Sequence, residues 1–365
     1  MNTVIACGGT GGHLFPGLAV AEVLRERGHD VMLFISEKEI DTLAVANRAE
    51  FRVEKLPSIG LPSPFSPAIL GFTRRFLESL SRCRKLYQSF RPQVVLGMGG
   101  FTSTAPVMAG RLRGIPTFVH ESNAIPGKAN RLTARMVRAV LLGFKECAQF
   151  FPRVRSEFTG TPIRRALQPM PPEIARARLG LKGDLTTLLV MGGSQGATGI
   201  NQAIVKSLPF LRDTPLQVIH LSGRRDEKLV RDAYAREKFA VYVAPFHHVM
   251  EEAYSAADLA IARSGAASLS ELAAFSLPAI LIPFPYAADD HQTRNAEVFT
   301  KAEAAVMLKE SEIVDDVLAR CIRLLLGDQA RRRRMAANCA ALAPRDAAAL
   351  VVETMERYTA NEVRL

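Results

Sequence analysis

Short aliphatic runs alternate with stretches of helical apolar spacing along most of the chain, and this pattern predicts strands alternating with helices. The strands predicted in the first half span residues 3–6, 31–35, 94–96 and 117–120. Those predicted in the second half span residues 187–191, 217–221, 240–243, 259–262 and 279–282. Helices are predicted between them, for example at 16–27 and 105–113. This alternation is typical of an α/β fold in which helices cover a parallel sheet.

Proline and glycine are concentrated near residues 159–172, where the alternating series is interrupted. Such a stretch predicts a connection between two domains, and 365 residues are enough for two hydrophobic cores. We therefore expect one domain at 1–162 and a second at 163–342. A terminal helix at 343–365 is expected to pack back on the first domain.

A glycine-rich turn follows a predicted strand in each half. Residues 8–13 read Gly-Gly-Thr-Gly-Gly-His, and residues 192–197 read Gly-Gly-Ser-Gln-Gly-Ala. Glycines let the backbone approach a phosphate closely, and the open N–H groups at a helix start favour negative charge. The pair predicts two similar domains that face one cleft. Either turn alone is equally compatible with a tight strand-to-helix connection that binds nothing.

Other polar clusters also come at predicted strand ends, where ligands bind in parallel α/β sheets. They are Gly-Met-Gly-Gly at 97–100, His-Glu-Ser-Asn at 120–123 and the stretch 263–271. Glu271 is placed to accept hydrogen bonds from ribose hydroxyls, or merely to favour the N-terminal dipole of its helix. Asp289 and Asp290 favour a solvated turn over a metal site, because adjacent side chains diverge.

The charged residues are unevenly distributed between the two halves, and this bears on the partners that the protein could bind. The net charge is +11, with 23 Lys and Arg against 12 Asp and Glu in residues 1–165 and 24 of each in residues 166–365. Nucleic acid and an anionic membrane surface would both attract such a first half. However, the sequence has no aromatic-rich basic stripe, helix-turn-helix signature or zinc-finger spacing.

A predicted helix in the first half combines apolar and basic residues. Ser66 as N-cap and Pro67 at the first helical position would start it. Its apolar stripe is Ile69, Phe72, Phe76 and Leu80, flanked by Arg74, Arg75, Arg82 and Lys85. With Leu61, Phe65 and Leu70 as apolar tips, the segment suits contact with a membrane surface. A core-facing helix with solvated arginines explains the same pattern.

Two further features bear on the class of protein. The five cysteines lack C-x-x-C spacing, which predicts reduced core residues rather than disulfides or a zinc site. No apolar run approaches the roughly 18 residues needed to span a bilayer, and no signal-peptide pattern follows Met1. We therefore expect the chain to stay in the cytoplasm.

In order along the chain, these motifs resemble the MurG family, the peptidoglycan N-acetylglucosaminyltransferases of bacteria. The resemblance rests on residues 8–19, 97–100, 120–123, 192–197 and 263–271, and it covers nearly the whole chain. It implies a GT-B fold with two Rossmann-like domains, the first binding a lipid-linked acceptor at the membrane and the second binding UDP-GlcNAc. The implied reaction transfers GlcNAc, with inversion, to undecaprenyl-diphospho-MurNAc-pentapeptide (lipid I) and gives lipid II.

Matching positions imply the site residues. In the first domain, Thr10, Gly11 and Gly12 would contact the sugar or diphosphate of the donor, and Asn123 and Arg164 would reach it across the cleft. The residues implied in the second domain are Ser194, Phe246, Ala266, Ala267, Ser268, Leu269, Ser270, Glu271 and Gln292, with Phe246 near the uracil. Ser122 stands where the family commonly has Gln, and the stretch before Gln292 also departs from better-known members.

The mechanism requires a base for the acceptor hydroxyl. His13 is the candidate because imidazole titrates near neutrality, and Glu121 is the alternative. The resemblance implies no cofactor, no metal and no nucleic acid. The implied partners are UDP-GlcNAc, the undecaprenyl-linked acceptor, an anionic membrane surface and other cell-wall enzymes, with the protein peripheral on the cytoplasmic side of the inner membrane. The competing hypotheses are a UDP-sugar epimerase or another glycolipid glycosyltransferase of the same fold.

Overall fold

The computed structural model describes residues 1–46, 48–57, 60, 62, 66–193, 196–237 and 239–360. The chain divides into two compact units. Unit 1 consists of Met1–Arg164 together with the residues from Pro344 onward, and unit 2 consists of Arg165–Ala343. Each unit has its own parallel sheet and its own hydrophobic core.

Unit 1 is built on a parallel sheet whose order, in the described residues, is β3-β2-β1-β4-β5-β6-β7. Its strands are β1 Asn2–Ala6, β2 Asp30–Ser36, β3 Arg52–Leu56, β4 Val94–Gly97, β5 Thr117–Glu121, β6 Ala139–Leu142 and β7 Ser156–Phe158. Its first helices are α1 Gly11–Glu26, α2 Glu39–Val45, α3 Ala68–Phe90, α4 Gly100–Arg111 and α5 Lys128–Thr133. Ile5 of β1 pairs with Leu33 on one side and Leu96 on the other, and all three are fully buried. Helices cover both faces of such a strand, which explains its unbroken apolar sequence.

Unit 2 repeats this plan with the strand order β10-β9-β8-β11-β12-β13 in the part of the chain described. Its strands are β8 Thr186–Met191, β9 Leu216–Leu221, β10 Val241–Ala244, β11 Leu259–Ala262, β12 Ala279–Leu281 and β13 Ala305–Met307. Its helices are α6 Pro172–Arg178, α7 Thr198–Ser207, α8 Glu227–Glu237, α9 Met250–Ala256, α10 Ala266–Ala274, α11 His291–Lys301, α12 Val317–Gly327 and α13 Gln329–Ala341.

The last helix, α14 Ala347–Ala360, belongs to unit 1. Val351, Val352 and Met355 are fully buried in the same core cluster as α1. At the far end of α1, Arg27 pairs with Glu353 at 2.9 Å and with Glu356 at 2.8 Å. Apolar burial and these ion pairs together hold the end of the chain on the first sheet.

The strand order reverses once in each sheet, between β1 and β4 in unit 1 and between β8 and β11 in unit 2. In open α/β sheets the ligand crevice lies outside the carboxyl ends of the strands at such a switch point. The two glycine-rich turns follow β1 and β8, and the turns at 97–100 and 263–265 follow β4 and β11. The fold thus places all four turns at the two switch points.

Helix α3 has an inward and an outward apolar face. It begins at Ala68 with Pro67 as N-cap, one residue later than predicted, and the Ala68 N–H donates to Ser66 Oγ at 3.2 Å. Inside, the Phe72 ring lies 6.2 Å from that of Phe76 and 5.9 Å from that of Phe101. Outside, Leu70 is 76% exposed and Leu77 is 57% exposed. The inward contacts agree with the core-facing hypothesis, and the membrane contact stays a prediction. Leu61 and Phe65 lie outside the described residues.

Across the described ranges, no helix has the length and apolar character needed to cross a bilayer. The five cysteines are unpaired, and all of them except the half-buried Cys321 are buried.

Candidate functional site

The first glycine-rich turn is held to the end of β2 by a buried carboxylate. Asp41 Oδ2 accepts hydrogen bonds from the Gly9 N–H at 2.7 Å, the Ser36 N–H at 3.1 Å and Ser36 Oγ at 2.5 Å. Gly8 has no room for a side chain, because a Cβ there would lie 2.1 Å from the Ser36 nitrogen. The Gly9 amide is therefore occupied by the protein itself, and the anion-facing groups of this turn must come from later residues.

Those groups are at the start of α1, where Thr10 is the N-cap. The amides of His13 and Leu14 both donate to the Thr10 carbonyl at 3.0 Å. The N–H groups of Gly11 and Gly12 have no hydrogen-bond acceptor within the helix, because no helical turn precedes them. Together with the positive end of the helix dipole, they form a surface suited to an anion.

Arg164 adds a positive charge beside this helix start. Its guanidinium lies over the Phe15 ring, 5.3 Å from the centroid. Phe15 in turn lies against Gly11, where an added Cβ would be 3.3 Å from the ring. The stack on Phe15 thus holds Arg164 near Gly11, and both are predicted site residues.

The predicted base, His13, lies against the glycine turn that follows β4. A Cβ on Gly99 would be 2.9 Å from His13 Cε1, and one on Gly100 would be 3.5 Å from Cδ2. Among the described residues, the buried Nδ1 of His13 has no hydrogen-bond partner. Burial lowers the pKa of His13, and the Met98 carbonyl and the charge of Asp41 act against this effect. A lowered pKa keeps the ring neutral at pH 7, the form that accepts a proton.

Glu121, the alternative base, is occupied by its own loop. The carboxylate is 3% exposed and accepts the Asn123 N–H at 2.9 Å and Asn123 Nδ2 at 3.1 Å. It also accepts the Gly127 N–H at 3.0 Å and Asn130 Nδ2 at 2.8 Å. Burial raises the pKa of Glu121, and these hydrogen bonds act against the rise. Such an arrangement favours a role in shaping the 121–130 loop, including Asn123, over proton transfer.

His120 is also structural. Because the Gly160 carbonyl can only accept, His120 Nε2 carries the proton and donates to it at 2.9 Å. Ser122 Oγ then donates to Nδ1 at 3.2 Å. Burial lowers the pKa of His120 to about 4, so the ring is neutral near pH 7. Ser122, the residue that departs from the family pattern, is therefore used to orient His120.

We expect Asp41→Ala to lower the free energy of unfolding by about 2 kcal/mol, because it leaves the Gly9 and Ser36 donors without their buried acceptor. Urea unfolding of the full chain measures the change. Glu39→Ala is the matched control, since Glu39 is exposed on the same helix. Equal stability of the two variants would show that Asp41 does not hold the turn.

The second glycine-rich turn is braced in a similar way in unit 2. Gly196 has φ +75°, and a Cβ there would lie 2.4 Å from the Ser222 carbonyl. Asn201 Nδ2 donates to that carbonyl and to Asp226 Oδ2, both at 2.8 Å, and Thr198 Oγ1 donates to the same carboxylate oxygen at 2.7 Å. Asp226 therefore fixes the start of α7 directly after the second glycine-rich turn, whereas Asp41 bonds the first glycine-rich turn itself. Ser194 lies outside the described residues.

The predicted segment 266–271 occupies the first turns of α10, with Gly265 as N-cap. The Leu269 amide donates to the Gly265 carbonyl at 3.0 Å, and the Leu269 side chain is fully buried in the core. The amides of Ala266, Ala267 and Ser268 therefore form the open helix start. The Ser270 side chain is also buried.

Glu271 lies in the second turn of α10, further along the helix than its sequence position suggested. Its Oε2 accepts a hydrogen bond from the Tyr254 hydroxyl at 2.5 Å. Side chains on a helix lean toward its N-terminus, so Glu271 points back toward the open amides.

Gln292 and Phe246 complete the predicted set in unit 2. Gln292 Oε1 accepts the Phe284 N–H at 2.9 Å, which orients the amide and leaves Nε2 as the donor. Phe246, after β10, is 42% exposed, and its ring lies 5.0 Å from that of His248. Arg263 is structural, because its Nη1 donates to the carbonyls of Ile282 and Pro283 and its Nη2 pairs with Glu310.

The Asp289–Asp290 pair forms a turn in which both residues have φ +52°. Asp290 Oδ1 accepts a hydrogen bond from Thr293 Oγ1 at 2.6 Å. Within the described residues, no three or more His, Cys, Asp or Glu side chains are grouped as metal ligands.

Sequence reasoning did not single out Asp41, Asn130, Asp226 or Tyr254 as parts of these sites. Asn130 illustrates why, since its side chain reaches back from α5 to the His120 carbonyl and to Glu121. In the sequence, the only local sign of such contacts is a polar residue at a position of a short helix where an apolar residue would be expected. Their partners become evident only from the tertiary structure.

Comparison with known proteins agrees with this geometry. Residues 3–142 match the Glycosyltransferase family 28 N-terminal domain, and residues 187–351 match the Glycosyltransferase family 28 C-terminal domain. The two parallel α/β units form a GT-B fold, and the two family models make the chain a glycosyltransferase of that fold.

The relatives identify the branch of that class. The chain is 38% identical to the UDP-N-acetylglucosamine--N-acetylmuramyl-(pentapeptide) pyrophosphoryl-undecaprenol N-acetylglucosamine transferase of Geotalea uraniireducens, over 99% of both chains. The crystal structure of Acinetobacter baumannii MurG matches with a TM-score of 0.80 and 27% identity, over 97% of this chain and 99% of that one. The chain belongs to the MurG family, and the predicted family and GT-B fold are confirmed.

The rival epimerase shares the fold alone. A putative UDP-N-acetylglucosamine 2-epimerase from Listeria monocytogenes matches with a TM-score of 0.69 but only 11% identity, over 96% of this chain and 94% of that one.

Proposed function

We propose that this chain transfers GlcNAc from UDP-GlcNAc to the muramyl sugar of undecaprenyl-diphospho-MurNAc-pentapeptide, lipid I, and so makes lipid II for peptidoglycan synthesis. The observation that carries the proposal is 38% identity across 99% of a transferase named for this reaction. The glycine turns and Glu271 at the two switch points agree with a nucleotide-sugar substrate.

Unit 2 binds the donor. The open amides of Ala266, Ala267 and Ser268 at the start of α10 hold its diphosphate, and Ser194 and Ser270 belong to the same carried-over set. Glu271 accepts the ribose hydroxyls, and Phe246 packs near the uracil. Gln292 donates from Nε2 to the GlcNAc, since its Oε1 is occupied by Phe284.

Unit 1 provides the acceptor site and the reacting groups. Thr10, Gly11, Gly12, Asn123 and Arg164 are the donor contacts that the family implies for this unit, and Arg164 lies beside the start of α1. The acceptor hydroxyl attacks the anomeric carbon as the bond to the UDP oxygen breaks, and UDP leaves with the electron pair. His13 takes the hydroxyl proton, and the helix start stabilises the charge that develops on UDP. A single in-line displacement of this kind inverts the anomeric centre.

UDP release, measured with and without a lipid-linked muramyl acceptor, tests the reaction. We expect UDP release only with the acceptor, together with a disaccharide-bearing lipid product. Conversion of UDP-GlcNAc without acceptor would favour an epimerase. No turnover, together with salt-sensitive RNA binding, would favour a nucleic-acid-binding protein.

We also propose that unit 1 lies on the cytoplasmic face of the inner membrane, through the outward face of α3. Leu70, Arg74 and Leu77 follow one another at helical spacing, and all three are exposed. Apolar side chains interleaved with arginines suit an anionic lipid surface, and the excess charge of residues 1–165 adds attraction at longer range. Contact with other cell-wall enzymes is part of the same proposal.

We expect Leu70→Glu/Leu77→Glu to lose at least tenfold of its association with vesicles of mixed neutral and anionic lipid. The two exposed leucines that would insert into the lipid surface are replaced by negative charges that the anionic lipids repel. Vesicle flotation measures the bound fraction. Leu229→Glu/Leu324→Glu is the matched control, since both leucines are exposed on helices of unit 2. Equal flotation of both variants would place the membrane contact elsewhere.

A further inference from the structure

We propose that His247 is a positioning residue, which fixes the loop between β10 and α9 so that Phe246 meets the uracil of the donor in a preset place. The inference rests on the proposed function, in which Phe246 packs near the uracil. It adds a histidine side chain that acts through its neighbour in the chain rather than on the nucleotide itself.

The His247 side chain ties together the two ends of this loop. Its Nδ1 lies 3.0 Å from the hydroxyl of Tyr242, on the strand where the loop begins. Its Nε2 lies 3.1 Å from Oε2 of Glu252, on the helix where the loop ends. The Tyr242 and His247 rings also meet edge to face, with centroids 5.5 Å apart and planes at 84°. One imidazole therefore bridges the strand and the helix that the loop connects.

Hydrogen-bonding chemistry fixes the direction of each bond. A carboxylate can only accept, so in the neutral imidazole Nε2 carries the proton and donates to Glu252. Nδ1 is then the acceptor, and the Tyr242 hydroxyl donates to it. Glu252 is held from a third element as well, because its Oε1 accepts from Arg178 Nη1, on α6, at 3.1 Å. The side chains of His247 and Glu252 are each only 13% exposed, so water competes little for the bond between them.

The neighbours of His247 in the loop are exposed, in contrast to His247 itself. Phe246 is 42% exposed, and its ring lies 5.0 Å from that of the exposed His248, with the two planes at 77°. Both follow the carboxyl end of β10, the side of the sheet where ligands bind. Because the three residues share one backbone, the anchored imidazole restrains the exposed rings. A loop that is already fixed loses less conformational entropy when a base packs against it.

His247→Ala tests the proposal, with the dissociation constants of UDP and ADP as the readout. The two nucleotides share the ribose and the diphosphate and differ in the base. UDP should bind about tenfold more weakly to this variant, because the loop must then become ordered as the uracil binds, whereas ADP should change less than twofold.

Turnover gives a second readout of the same variant. The uracil is held equally in the ground state and in the transition state, so its loss affects binding alone. In His247→Ala the KM for UDP-GlcNAc should therefore rise about tenfold, while kcat stays near the wild-type value. Tyr242→Phe removes one of the two bonds and no packing, and it should weaken UDP about threefold. This milder variant carries the test if His247→Ala does not fold.

A double-mutant cycle shows whether His247 acts through Phe246. Phe246→Ala alone should weaken UDP about tenfold, because the apolar contact with the base is lost. Adding His247→Ala to it should weaken UDP less than twofold further, since the ring that the loop positions is already gone. A packing defect unrelated to Phe246 would instead show its full effect in both backgrounds.

His29→Ala is the matched control. It removes an imidazole whose Nε2 bonds to another glutamate, Glu356, at 2.8 Å in unit 1, and the His29 side chain is 15% exposed. Both dissociation constants should be unchanged in this variant. Thermal unfolding checks that all the variants are folded.

Equal weakening of UDP and ADP in His247→Ala would overturn the proposal, and so would full additivity in the cycle. A Phe246→Ala variant that binds UDP normally would also overturn it, by removing Phe246 from the uracil. These results would leave the proposed reaction intact, whereas wild-type protein without acceptor-dependent turnover would refute the reaction itself.

Discussion

His13→Ala is expected to reduce the turnover number about a thousandfold and to leave the affinity for UDP-GlcNAc nearly unchanged. A positioned general base contributes roughly 10²- to 10⁴-fold, and its removal affects the transition state more than substrate binding. The ring is held against the turn at Gly99 and Gly100. Acceptor-dependent UDP release gives the turnover number, and equilibrium binding gives the donor affinity.

The same assignment predicts a pH profile. A base must be neutral to act, and burial lowers the pKa of His13 from its ordinary value. The acid limb of kcat/KM should therefore lie below pH 6.5, and activity should fall only when the pH drops through the lowered pKa. Added imidazole should partly restore turnover in His13→Gly.

His29→Gln is the control, because it removes an imidazole beyond the opposite end of α1. It should retain near-normal turnover. If His13→Ala also kept normal turnover with UDP-GlcNAc and a lipid I analogue, the base assignment would have to be abandoned.

Most of the central strands could be predicted from the sequence, because their signals are local. β11 has the bounds predicted for it, and β1 and β8 begin one residue earlier than expected. Each is an aliphatic run followed by glycines, a pattern that tertiary context rarely overrides.

The strands β3, β6, β7 and β13 and two helix starts could not be predicted in this way. β3 reads Arg-Val-Glu-Lys-Leu, and β7 and β13 have three residues each, so none of them forms a long apolar run. Helix α1 begins at Gly11 and helix α4 at Gly100, each five residues before its predicted position. In α4 the reason is that Gly99 and Gly100 resemble a loop in sequence. Glycine is used there because φ is +103° and +72° and the His13 ring lies against the turn.

The site residues also divide into those with a local sequence signal and those that depend on tertiary contacts. Residues in recognisable motifs, such as His13 and Glu271, were predicted because the chemistry is visible in their sequence neighbours. Asp41 and Tyr254 were not predicted, since each acts on a residue in a different element and their contacts depend on strand order and helix packing. Residues that hold a site are therefore harder to find from sequence than residues that form it.

Gly99→Ala is expected to reduce turnover about a hundredfold although Gly99 provides no catalytic group. The new Cβ would lie 2.9 Å from His13 Cε1 and 3.3 Å from Asn130 Nδ2, so the imidazole must move. Displacing a catalytic group by about 1 Å can cost about a hundredfold in rate. The positive φ adds about 1–3 kcal/mol of backbone strain, which urea unfolding measures separately from the rate.

Gly114→Ala separates these two effects. Gly114 has φ +73° and no atoms within 4 Å of an added Cβ, so this variant carries backbone strain without any displacement. It should lose stability but keep near-normal turnover, whereas Gly99→Ala should lose both. If the two variants kept the same turnover, His13 would tolerate displacement, and a proton acceptor that depends on its exact position would have to be sought elsewhere. A hundredfold difference between them would instead tie the rate to the contact between His13 and the turn at residues 97–100.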